Sequence, residues 1–164
     1  MDPGIPRILY ATDLSAKSIY GLHYAVNYAI KNEAKLIVFH SITKRSITVG
    51  KMMAYFFNEA QEDRILQEKA NSAMRRMKNQ LETICKKERK DHPEYDNNVE
   101  HLVVHYGRIA EEIVEKADMW ECVSIVLGPH KNGFLKQLSP VSTLRKVLRL
   151  AHKPVHIIPL PKRR

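Results

Sequence analysis

Apolar and polar positions repeat along this chain in two rhythms, and the switches between them mark out its elements. Arg7 to Ala11 is a short apolar, strand-like run closed by Thr12-Asp13-Leu14-Ser15. That closing chemistry predicts a helix directly afterwards. Ile19, Leu22, Val26, Ala29 and Ile30 then recur at three- and four-residue steps, the apolar face of a helix. Asn32-Glu33 breaks it, and Lys35 to Ile42 forms a second strand with apolar residues on successive positions. A strand apolar on both faces belongs inside a parallel sheet covered by helices.

Thr43 to Gly50 reads as a loop, and the pattern is helical from about Met53 to Lys90. Leu66, Ala70, Ala73, Met77, Leu81 and Ile84 form a seam close to seven-residue periodicity. It fits a long amphipathic helix lying on the sheet, with an exposed coiled-coil seam as the alternative. Met52 to Phe57 is unusually apolar for a loop margin and reads as a tucked helical turn, a lid or a partner-facing flap. Asp91 to Asn98 is a turn region, because Pro93 and the Asp/Asn cluster oppose both helix and sheet. Val99 to Tyr106 is the third strand, stopped by Gly107. Ile109, Ile113, Val114 and Ala117 mark a short helix with Glu111, Glu112 and Glu115 on its wet side. Cys122 to Leu127 is the fourth strand. Leu144, Val147, Leu148 and Ala151 mark another helix, and Val155 to Ile158 is the last strand.

Strands alternating with helices throughout predict an α/β fold, an open parallel sheet wound on both faces. No composition shift, repeat or low-complexity segment divides the 164 residues, so one domain is expected, with 1–6 and 160–164 as frayed ends. The longest apolar runs are too short to cross a bilayer, and Met1 to Gly4 shows no secretory pattern. Cys85 and Cys122 have no CxxC spacing, which fits reduced thiols and a cytoplasmic address. Lys and Arg outnumber Asp and Glu by 27 to 18. The cations are dispersed and not interleaved with stacking aromatics, so they read as solvated charge and nucleic acid is not an expected partner.

In such sheets ligands sit outside the strand carboxyl ends, where the strand order reverses. Two loops compete for that place: Ala11-Thr12-Asp13-Leu14-Ser15, and the stretch from Leu127-Gly128 to Ser142-Thr143. Pro140 suits a first helical position with Ser139 as its cap. The Ser142 and Thr143 hydroxyls and nearby N–H groups would then lie where an anion rests, with Lys131 as a point charge nearby.

Four segments together resemble the universal stress protein family. They are Ile8 to Ser15, Val38-Phe39-His40-Ser41, Gly107 to Ile113, and Ile125 to His130 continuing through Val147 to Val155. The resemblance implies a five-stranded parallel sheet of order 3-2-1-4-5, adenine nucleotide alpha hydrolase-like, and a homodimer through the last strand. In the nucleotide-binding branch it places Asp13 at the adenosine end and Ser41 in the base pocket. There a pattern of glycine, two residues, glycine, nine residues, then glycine and Ser or Thr wraps the phosphates. Counted from Gly128, this chain has Lys131 and Val141 at the second and third glycine positions, and Ser142 alone completes the pattern. A phosphate approaches such backbone only where no Cβ intervenes.

Plainer roles stand beside these: Asp13 as a helix cap, Ser142 and Thr143 as a helix start, Lys131 as a solvated loop residue, and His40 and His130 as strand ends. His101 and His105 share a strand face but have no third ligand at zinc spacing. No GxSxG, HExxH or P-loop is present. The expectation is therefore a non-enzymatic stress-response or signalling homodimer with a degraded nucleotide motif and a protein partner of unknown identity. The alternative is an ATP-binding switch or slow ATP hydrolase, using ATP with magnesium between the first- and fourth-strand loops.

Overall fold

Every strand predicted from apolar runs forms, and all five join one parallel sheet in the order β3-β2-β1-β4-β5. The computed structural model describes residues 4–43, 59–88, 91, 93, 95–128 and 142–159. The elements are β1 (Arg7–Ala11), α1 (Ser18–Lys31), β2 (Lys35–Ile42), α2 (Glu59–Glu88), α3 (Tyr95–Asn98), β3 (Val99–Tyr106), α4 (Ile109–Met119), β4 (Cys122–Leu127), α5 (Thr143–Leu150) and β5 (Val155–Ile157). The reversal falls between β1 and β4, which pair in parallel from Ile8↔Ser124 to Ala11↔Leu127.

Alternation along the strands builds two cores. Ile8, Tyr10, Leu36, Val38 and Val126 point to the face covered by α1, α2 and α3. Leu9, Ala11, Ile37, Phe39, Ile125 and Leu127 point to the face covered by α4 and α5. Side chains as fully buried as Leu9 and Ile37 contribute about 1.5–3 kcal/mol each. On α2, Ala73, Met77 and Ile84 are buried against the sheet and Leu81 packs beside them. From Ala73 to Ile84 the seam is a core face, as expected of a helix lying on the sheet, while Leu66 and Ala70 are half-buried.

Two local expectations change. Tyr95 lies in the one-turn helix α3, within the predicted turn region, because its ring is buried and its hydroxyl donates to Asn27 Oδ1 at 2.5 Å. Glu112 is not on the wet side of α4: its side chain is only 15% exposed, with Oε2 2.6 Å from His105 Nδ1 at angles unsuited to a hydrogen bond. The edge strand β3 is tied across β2 to β1, since Arg7 Nε and Nη2 donate to Glu100 at 2.7 and 2.9 Å. Loop Thr43–Gly50, apart from Thr43, and the Met52–Phe57 stretch lie outside the described residues.

Candidate functional site

Because β1 and β4 are neighbours, the two loops singled out above begin side by side. The Gly128 N–H donates to the Ala11 carbonyl at 3.2 Å, and the Thr12 N–H donates to the Phe39 carbonyl at 2.9 Å. His40 Nδ1 stands 2.7 Å from the Thr12 carbonyl. A carbonyl only accepts, so Nδ1 carries the proton. Ala11, Thr12, Leu127 and Gly128 thus meet at one rim, with Ser41 two residues beyond Phe39 on β2. Burial, reinforced by the Arg76 charge, holds the His40 pKa below its ordinary value, against the opposing bond to Thr12.

The turn after β1 is locked by its own side chains. Thr12 Oγ1 accepts from the Leu14 N–H at 3.1 Å, and Asp13 Oδ1 accepts from the Ser15 N–H at 2.9 Å. Leu14 adopts φ +56°, a left-handed conformation that costs a residue with a Cβ about 1–2 kcal/mol. That turn delays the helix: α1 begins at Ser18 with Lys17 as N-cap and no side-chain cap bond. Asp13 therefore shapes the turn and does not cap α1, leaving its exposed carboxylate at the rim.

Two α2 residues that sequence reasoning missed reach this turn. Arg76 donates through Nη2 to the Leu14 carbonyl. Gln80 Nε2 donates to Ser18 Oγ at 2.9 Å, and Ser18 Oγ in turn donates to the Ser15 carbonyl at 2.7 Å. Sixty-two residues separate both Arg76 from Leu14 and Gln80 from Ser18. The only sequence signal was a basic pair, Arg75-Arg76, inside an amphipathic seam.

Gly128 has a local reason for being glycine. A Cβ there would lie 2.7 Å from Tyr10 Oη and 3.1 Å from its Cε2. Tyr10 cannot easily retreat, being fully buried with its hydroxyl donating to the Ser18 carbonyl at 3.0 Å. Burial pushes its phenol pKa up. Ser41 and Ser15 each carry a buried hydroxyl without a hydrogen-bond partner among the described residues.

Ser142 is the N-cap of α5, accepting from the Arg145 N–H at 3.2 Å, and Thr143 is the first helical residue. Lys131, Val141, His130, Ser139 and Pro140 lie outside the described residues. His101 stacks on Trp120 with ring centroids 6.3 Å apart. Among the described residues no group of three or more His, Cys, Asp or Glu side chains could hold a metal. A concavity of about 380 Å³ opens at the opposite, amino end of the sheet, lined by Gly4, Ile5, Arg7, Lys35, Asn97 and Glu100. Its cations are already engaged, Arg7 with Glu100 and Lys35 with the Asn97 carbonyl at 2.6 Å, which leaves the rim at the carboxyl ends of β1 and β4 as the candidate site.

The family model described as "Universal stress protein family" matches residues 4–159. This chain belongs to the universal stress protein family. A universal stress protein of Methanocaldococcus jannaschii is 26% identical over 156 residues, covering 93% of each chain. A universal stress protein solved in complex with cAMP is 15% identical, with TM-score 0.59 over 94% of this chain and 97% of that one. One from Archaeoglobus fulgidus, solved in complex with dAMP, is 19% identical with TM-score 0.51 over 94% and 97%. At those identities the structural likeness speaks for the fold, and it agrees with the 3-2-1-4-5 sheet of this family member.

Proposed function

We propose that this family member is a non-catalytic stress-response homodimer whose cleft takes an adenine nucleotide bearing one phosphate. The observation that carries the reading is the β1–β4 adjacency, which sets the Thr12–Asp13 turn against Gly128 beside the end of β2. Such a switch point presents a crevice for a nucleoside. Asp13 offers a carboxylate for ribose hydroxyls, and Ser41 lies at the base end.

The single phosphate follows from the chain's own side chains. Lys131 and Val141 bring Cβ atoms to positions where the resembling pattern has glycine, which disfavours wrapping a triphosphate in backbone N–H groups. Two structural relatives were solved with cAMP and dAMP, nucleotides that carry one phosphate each, and this supports the same ligand class here.

Calorimetric titration with AMP, and with ATP plus magnesium, tests the reading. AMP is expected to bind more tightly than ATP, with binding weakened at least about tenfold in Asp13→Ala through loss of a charge-assisted bond. Tighter ATP binding accompanied by phosphate release would replace the reading with the ATP switch or slow hydrolase built on Asp13, Gly128, Lys131 and Ser142.

A further inference from the structure

The turn that carries Asp13 is not held from within alone. Leu14 pays for its left-handed backbone while its side chain is fully buried in the α1/α2 core. Its N–H is bound by Thr12 Oγ1 and its carbonyl by the Arg76 guanidinium of α2. That carbonyl shares its peptide plane with the Ser15 N–H, so Arg76 holds one end of the Leu14–Ser15 plane while Thr12 Oγ1 holds the plane before it. The other end of the Leu14–Ser15 plane is the Ser15 N–H, which donates to Asp13 Oδ1, so losing Arg76 loosens the plane against which the Asp13 side chain is set. A non-glycine residue at positive φ persists only where its surroundings over-determine it, and such outliers gather at ligand sites.

Resting on the nucleotide reading above, we propose that Arg76 is the positioning residue that sets ribose selectivity in this cleft. It holds the Leu14 carbonyl so that Asp13 presents its carboxylate at the height of a ribose 2′-hydroxyl. Arg76 acts through the turn and makes no ligand contact of its own. Its neighbour Gln80 holds the next stretch of the turn through Ser18, so the loop as a whole survives loss of Arg76. The ligand class is an adenine ribonucleotide, preferred over its 2′-deoxy form.

The test compares AMP and 2′-deoxy-AMP affinities of the wild type, Arg76→Met and Arg76→Lys. The wild type is expected to favour AMP by about tenfold, the value of one hydrogen bond to a charged group. Arg76→Met is expected to lose that preference while its affinity for the deoxynucleotide is unchanged, and Arg76→Lys to restore part of it. Equal weakening toward both nucleotides, or an unchanged preference, overturns the proposal. A second measurement needs no ligand: amide exchange of Ser15 by NMR. Arg76→Met is expected to speed it at least about tenfold while amides of the β1–β4 ladder keep their protection. An unchanged Ser15 rate overturns the positioning role even if AMP binds, whereas accelerated exchange in a protein that binds neither nucleotide overturns the cleft reading and with it the selectivity.

Discussion

A methyl group at position 128 has nowhere to go, because Tyr10 Oη would lie 2.7 Å away and its ring is pinned to the Ser18 carbonyl. Gly128→Ala is therefore expected to destabilise the fold by about 1–3 kcal/mol, the range for overpacking. Tyr10→Phe removes the offending oxygen, so the double variant should lose less than the two single losses summed, as chemical denaturation would reveal. At the same rim, His40 has its pKa held down by burial. The unfolded chain then binds the extra proton more readily than the native state. Stability is full above the ordinary histidine pKa of about 6.5 and is lost as pH falls through the native value. Thermal melts from pH 8 to pH 5 should fall less steeply for His40→Asn, which keeps a donor toward the Thr12 carbonyl but does not titrate.

The elements end in ways that the residue types alone do not favour. At the end of α1 the Ala34 N–H donates to Ala29 O at 2.9 Å and the Glu33 N–H to Ile30 O at 3.1 Å. This is a Schellman arrangement with Glu33 at φ +52°, where glycine is the usual occupant. Glu33→Gly should raise stability by about 0.5–1 kcal/mol, since relief of the left-handed strain exceeds the added chain entropy. The midpoint of urea unfolding checks it. At the end of α4, Glu121 repeats the same backbone at φ +52°. There Lys153 Nζ donates to the Ala117 and Cys122 carbonyls at 3.2 and 3.0 Å and pairs with Asp118 at 2.8 Å. One lysine thus ties α4 to the start of β4 and to the approach of β5.

At the scale of the sheet, β5 is an edge strand among the described residues, with β4 on one side only. The Pro154 carbonyl accepts from Ile125, and the Ile158 N–H donates to Leu127. By the parallel ladder's alternation, the N–H groups of Val155 and Ile157 point away from β4. In the proposed homodimer those two amides would face the partner's edge. Their hydrogen exchange is expected to slow as protein concentration rises through the dimerisation range, while the His156 amide stays protected throughout. Val155 and Ile157 amides that exchange freely at every concentration would rule out a dimer through this strand. Among the described residues no helix is long and apolar enough to cross a membrane.

Strand number, helix–strand alternation and the core face of α2 could be read from the chain because burial periodicity is local: side chains repeat every two residues in a strand and every 3.6 in a helix. The strand order 3-2-1-4-5, and with it the adjacency of β1 and β4, was legible through family resemblance. What remained hidden depends on contacts between distant segments. Arg76 at the Leu14 carbonyl, Tyr10 beneath Gly128 and Glu112 against His105 are each invisible to periodicity. The left-handed turn at Leu14, and hence the late start of α1, follows from a side chain buried in the core and a carbonyl held by another helix. Sequence by itself determined which faces must be hidden from water. Only the tertiary structure decided which polar groups would be brought close enough to hold one another, because hydrogen bonds depend on separations of tenths of an ångström that no pattern of hydrophobicity encodes.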